Sequence, residues 1–272
     1  MIYLDQAATT FPKPASVIKE YNRCIKEYCG NPGRSQHRLS FMASEAIYSA
    51  RENVADFFNF TSPENVVFTM NATYALNIAI KGLLHNGDHV IISDIEHNSV
   101  LRPVTALIQE RNISFSVFKV GEDLYESIPP LIRKNTKMII ASHVSNVFGD
   151  ITDIKAISDI AGKHGLLFML DASQSAGHIP IDLLKTPVDV LCAPGHKGLL
   201  GIQGCGFAIF KSKDALSTII EGGSGSDSMN PSMPDLLPER LEAGTLPTPA
   251  IVSLSAGIDF LRSAGIENVQ KR

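Results

Sequence analysis

The 272-residue chain has little cysteine, no surplus of positive charge and no long apolar run, and each shortage narrows what it can do. Its four cysteines, Cys24, Cys29, Cys192 and Cys205, make no C-x-x-C pair and no zinc-ligand spacing. Neither a disulfide scaffold nor a zinc module is expected, and a reduced, cytoplasmic setting is the economical reading. The formal net charge is −4. Nucleic acid or an anionic membrane surface would require a basic face, so neither is an expected partner. No run of about 18 apolar residues occurs, so no transmembrane helix is expected. The opening Met1-Ile2-Tyr3-Leu4-Asp5 has neither the basic start nor the apolar core of a signal peptide. No internal repeat of fixed period is visible.

Apolar mass is abundant. Hydrophobic residues make up 44% of the chain, enough for a sizeable core in one large α/β domain, or a large domain plus part of a second. Short apolar runs stand at Val66–Thr69, His89–Ile92, Met138–Ala141, Leu166–Leu170, Val188–Leu191 and Gly206–Phe210. Most are apolar at consecutive positions, the pattern of strands buried on both faces of a mostly parallel sheet. Helical spacing marks Ser40–Phe58, Thr73–Leu84, Ser99–Arg111, Asp153–His164 and about Pro249–Ser263, with Gly87 and Gly165 as stops. The alternation predicts a doubly wound α/β sheet with helices on both faces. Glu221–Thr248, rich in Gly, Ser, Pro and Met, reads as a functional loop.

Five polar segments each follow one of these strands, where a doubly wound sheet opens its crevice. Gly195-His196-Lys197-Gly198 follows Val188–Cys192, and an amine there suits Schiff-base chemistry if its pKa is lowered. Asp171 follows Leu166–Leu170, and a carboxylate in that place needs a positive partner such as a protonated pyridine nitrogen. Gln174 stands three residues on. Asn71-Ala72-Thr73 opens a helix whose free N–H groups suit a phosphate. His97 in Glu96-His97-Asn98-Ser99 could lie over an aromatic ring and relay protons. Asn146 closes the strand at Met138 and could bond a cofactor oxygen or a substrate carboxylate. Each alone admits a plainer reading: a solvated loop lysine, a helix-capping Asp or Asn, a surface histidine, a turn asparagine. The weight lies in their convergence.

In this order the segments resemble the cysteine desulfurase and selenocysteine lyase family, class V aminotransferases that bind pyridoxal 5′-phosphate (PLP) on a fold type I scaffold. Tyr3-Leu4-Asp5-Gln6-Ala7-Ala8-Thr9-Thr10 before Pro12, Ser145-Asn146-Val147, Asp171-Ala172-Ser173-Gln174 and Glu242-Ala243-Gly244-Thr245 add to the resemblance, which runs through essentially the whole chain. It implies that Lys197 anchors PLP covalently and later moves protons. Asp171 would pair with the pyridine nitrogen, Gln174 with the phenolic oxygen, and His97 would stack on the ring. Thr73, the backbone of Ala72, and His196 would hold the phosphate. Asn146 would face the substrate carboxylate or the phenolic oxygen, and Thr245 would reach the phosphate of a second subunit in a homodimer with shared sites. The implied reaction removes sulfur from L-cysteine, leaving alanine and an enzyme persulfide, with a sulfur-acceptor protein as a further partner.

The implied domain plan is an N-terminal segment over 1–15, a large PLP-binding domain over 16–248, and over 249–272 the start of a helix linking to a small C-terminal domain. The family's thiol and a carboxylate-clamping arginine are expected beyond a point matching Arg272. None of the four cysteines matches the thiol. Cys192 reads as core, whereas Cys205, in a Gly-rich turn, reads as exposed. Pro194 replaces a common hydroxyl, Gln6 a common Asn and Tyr74 a common acid. Two other readings therefore stand beside a desulfurase: another class V reaction (transaminase, epimerase or lyase), and a non-catalytic PLP-binding fragment. A dinucleotide-binding reading fails because Gly198, Gly201 and Gly204 lack G-x-G-x-x-G spacing after a first strand.

Overall fold

The computed structural model describes residues 2–33, 37–212, 216–225 and 229–271. Its centre is a seven-stranded sheet in the order β1-β7-β6-β5-β4-β2-β3. The strands are β1 (Val66–Thr69), β2 (His89–Ser93), β3 (Ser114–Phe118), β4 (Thr136–Ser142), β5 (Leu167–Asp171), β6 (Val190–Pro194) and β7 (Gly206–Phe210). β2 to β6 pair parallel, while β7 runs antiparallel between β1 and β6. β1 therefore points the same way as the parallel strands, and all of those end on one edge.

Consecutive apolar residues form strands here because both faces are covered. Alternate residues of one strand enter different cores: Phe68, Ile91, Ile139 and Leu170 pack on one side, Val67, Val90, Ile140 and Met169 on the other. The first side is covered by α2 (Arg38–Phe57), α6 (Ile154–His164) and α7 (Thr248–Ala264). The second is covered by α3 (Ala72–Leu83) and α4 (Asn98–Arg111). In α2, Ala43, Ile47, Ala50 and Val54 recur at helical spacing on the buried face, and the His37 side chain caps its start. Asp153 caps α6, and Gly165 ends it in the left-handed conformation.

Two elements lie outside the sequence expectations. α1 (Ala15–Glu27) continues from the N-terminal segment and packs on α7, with Cys24, Tyr28 and Val252 between them. β3 is a sheet edge whose Ser114 and Ser116 break the apolar run. Short α5 (Leu124–Ser127) and α8 (Ile266–Gln270) complete the helices of the described residues. Glu221–Thr248 holds turns without strand or helix up to Thr248, where α7 begins, and its residues 226–228 lie outside the described ones. No described helix is long and apolar enough to cross a membrane.

Candidate active site

The ends of β1, β2, β4, β5 and β6 meet in one cleft with about 550 Å3 of free space, mouth included. Asn71, Ala72, Thr73, His97, Asn146, Asp171, Gln174, His196 and Lys197 all line it. Every sequence-derived site residue is therefore here except Thr245. That residue is exposed and lines a separate groove with Tyr48, Arg51 and Gly244. Ser99, Ser142, Val144, Ser173 and Pro194 complete the wall; of these the sequence marks only Pro194, as the replacement of a common hydroxyl.

Asp171 ends β5 on the cleft floor. Its carboxyl is buried and accepts the Ser173 N–H at 2.9 Å. Burial pushes its pKa up, while the hydrogen bonds of Ser173 and the proximity of Lys197 and His97 pull it back. Burial moves the Lys197 amine the other way, lowering its pKa against the attraction of Asp171. Nucleophilic attack on a carbonyl requires the neutral amine, which the burial of Lys197 favours and the charge of Asp171 opposes.

The turn carrying Lys197 is tightly built. Gly201 N–H donates to Gly195 O at 2.8 Å and Leu200 N–H to Lys197 O at 2.9 Å. Leu200 adopts a φ of 67°, a left-handed conformation that costs a non-glycine residue about 1–3 kcal/mol. Gly198 is required by close approach, because a Cβ there would lie 2.3 Å from Ala176 O. The N-terminal segment then straps the turn down. His196 O accepts from Thr10 N at 3.2 Å, Thr9 Oγ1 at 3.2 Å and Lys13 Nζ at 2.6 Å. Thr10 Oγ1 donates to Lys197 O at 2.6 Å, and Gln174 Nε2 donates to Ala7 O at 3.2 Å. Burial lowers the Lys13 pKa to about 8. Residues 7–13 thus belong to the site rather than to a detached leader.

On the opposite wall the Asn71 side chain caps α3 by accepting the Tyr74 N–H, leaving the first turn at Ala72 and Thr73 facing the cleft. Gly206 lets β7 pass beneath, since a Cβ would lie 2.5 Å from the Asn71 carbonyl carbon. His97 caps α4 through Nδ1, which accepts the Ser99 N–H at 3.1 Å. Ser99 Oγ lies 2.9 Å from that same Nδ1 and 2.9 Å from Thr73 Oγ1. Behind the floor, the buried Glu96 carboxyl accepts from Ser93 Oγ at 2.5 Å, Ser142 N at 2.7 Å and Ser142 Oγ at 2.9 Å. Burial, reinforced by the charge of Asp171, pushes its pKa up to about 7.

No cysteine lines this cleft. Cys192 is buried beside Asp171 in the sheet, as expected of a core residue. Cys205 corrects an expectation: it is 0% exposed, and burial pushes its thiol far above the usual range. Gln203 and Gly204 do form an exposed turn, with Gly204 at a φ of 98°, but Cys205 follows it into the start of β7 and is buried, with Gly195 set against its carbonyl.

A sequence model of the aminotransferase class-V family matches residues 2–272. A probable cysteine desulfurase of Methanothermobacter thermautotrophicus is 36% identical over 99% of this chain and 69% of its own length. The cysteine desulfurase IscS of Pseudomonas putida is 34% identical over 93% of this chain and 61% of its own. Among solved structures, an apo cysteine desulfurase from Thermococcus onnurineus superposes with a TM-score of 0.89 at 30% identity. That match covers 99% of this chain and 69% of the other.

Proposed function

Because the chain belongs to the aminotransferase class-V family, we propose that its cleft holds PLP on Lys197 and acts on L-cysteine as the amino-acid-activating site of a cysteine desulfurase. The carrying observation is the placement of the desolvated Lys197 amine and the buried Asp171 carboxyl on the wall of one cleft. The donor set fits the cofactor. Asp171 is a buried acceptor that a protonated ring nitrogen would satisfy, and the first turn of α3 presents N–H groups and the Thr73 hydroxyl to a phosphate. Bound there, PLP would supply an electron sink for the α-carbon of an amino acid.

The protein's own part is positioning. Lys197 is held by the strapped turn, as covalent anchor and as the base nearest the substrate. His97 offers an imidazole across the cleft from it. Gln174, Asn146 and His196 supply orienting polar groups, His196 with its pKa lowered by burial and by Lys197 and Lys13. Thr245, in its separate groove, is assigned to the phosphate of a second copy in a homodimer, which sedimentation of the purified protein tests.

None of the four thiols lines the cleft where the sulfur would be released. Cys24, Cys192 and Cys205 are buried with their pKa values pushed up, and Cys29 lies outside the cleft. Sulfur is therefore assigned to an acceptor thiol other than these four: cysteine and R–SH give alanine and R–S–SH, with no outside oxidant.

The test uses purified protein, PLP, L-cysteine and dithiothreitol. A visible absorbance band that Lys197→Ala abolishes, with matched alanine and sulfide release, is expected. Absence of the band would overturn PLP binding. A band with keto-acid product instead of alanine would point to transamination, and a band with no turnover to a non-catalytic chain.

A further inference from the structure

Ser99 sits between two groups that line the cleft, His97 and Thr73. Its backbone N–H donates to His97 Nδ1, and its hydroxyl lies within hydrogen-bond distance of both that nitrogen and the Thr73 hydroxyl. The direction of the first bond is fixed, because a backbone N–H can only donate. Nδ1 is therefore an acceptor, and the neutral ring carries its proton on Nε2. Nδ1 is committed to the α4 cap, so Nε2–H is the nitrogen left for the cleft.

The hydroxyl adds a coupling. Ser99 Oγ has one proton and two neighbours that can accept it, His97 Nδ1 and Thr73 Oγ1. With nothing on Thr73, the Thr73 proton can point to Ser99, and the Ser99 proton to His97. An anion at the α3 N-terminus takes the Thr73 proton. Thr73 Oγ1 then accepts from Ser99, and His97 Nδ1 keeps only the amide donor. We propose that Ser99 is a positioning residue that fixes His97 as its Nε2–H tautomer and reports occupation of the Thr73 anion subsite to the imidazole. The reporting half rests on the reading that a phosphate occupies the α3 N-terminus. Its consequence is an imidazole whose Nδ1 loses one donated hydrogen bond when the phosphate end is seated, so that the Nε2–H it offers the cleft becomes a weaker donor.

The experiment follows the nitrogen resonances of His97 in cofactor-free protein labelled with 15N, at a pH where the ring is neutral, with inorganic phosphate as probe. Phosphate binding is read separately from the phosphorus resonance. In the unmutated protein, Nδ1 is expected in the range of an unprotonated ring nitrogen and Nε2 in that of a protonated one. Phosphate should then shift Nδ1 further. In Ser99→Ala and in Thr73→Val, bound phosphate should move Nδ1 much less, leaving only the through-space effect of its charge. A protonated Nδ1, or an undiminished phosphate response in either variant, would overturn the inference while sparing the proposed function. Phosphate that fails to bind the unmutated protein would overturn the coupling together with the phosphate-subsite reading.

Discussion

Replacing Glu96 by Gln should stabilise the protein above neutral pH and change it little in acid. The Glu96 carboxyl is buried among Ser93, Ser142 and the charge of Asp171, and it holds its proton up to about pH 7 against an ordinary value of 4.5. In the unfolded chain that proton leaves near 4.5. Between the two values the folded state binds more protons, so rising pH favours unfolding. The stability from Glu96 is complete below about 4.5 and is lost as pH climbs through about 7. At 1.36 kcal/mol per unit, the interval from 4.5 to about 7 is worth about 3 kcal/mol. Glutamine keeps the shape: its oxygen can accept from Ser93 Oγ and Ser142 N, and its amide can donate to Ser142 Oγ. It does not titrate. Urea unfolding of both proteins from about pH 5 to about pH 8.5 gives the difference directly, and other titrating groups cancel in it. The gap in favour of the variant should widen by about 3 kcal/mol across that range. A gap that stays constant with pH would refute the raised pKa and the charge coupling to Asp171.

Two further substitutions test the scaffold that presents the cleft. Gly198→Ala places a Cβ against the Ala176 carbonyl and should cost about 1–3 kcal/mol in urea unfolding while weakening PLP loading, because the displaced turn carries Lys197. An unchanged midpoint with unchanged loading would show that the turn has room. Glu242→Ala removes the carboxylate that pairs with buried Arg51 and accepts the Phe68 N–H at 2.6 Å. Stranding that guanidinium should cost about 3–5 kcal/mol, and pairing Glu242→Leu with Arg51→Met should recover much of the loss. A single-variant loss below about 1 kcal/mol would sink the argument that the pair is desolvated.

The parts of this fold legible in the sequence are those whose cause is local. Val66–Phe68 and Ile139–Ala141 announce buried strands because two helical layers cover them and leave no polar alternation. β3 stays hidden because an edge strand can afford Ser114 and Ser116. α1 stays hidden behind Pro12 and Pro14, which read as an extended segment, although Val17 and Cys24 are buried. In the cleft, Lys197, Asp171, His97 and Thr73 are legible because each follows a strand. The strap from Thr9, Thr10 and Lys13 is not, since its partners lie more than 180 positions away. Nor is the task of Glu96, which exists only because β4 lies beside β2 and brings Ser142 to it. Cys205 is buried although an exposed turn at Gln203 and Gly204 precedes it, because the chain enters β7 directly after it.

The antiparallel β7 sets an order of assembly. β1 is made first, yet among the described residues its sheet neighbour is β7, completed more than a hundred residues later. During synthesis the parallel strands can pair among themselves while β1 waits with an unsatisfied edge. Long-range pairings of this kind are formed slowly and late. The α3 start, fixed by β1 on one side and by Gly206 of β7 beneath it, settles only when that last strand docks. A phosphate-bearing ligand therefore has no finished socket on the nascent chain. It can lock the completed sheet by mass action, but it cannot guide the steps that build it.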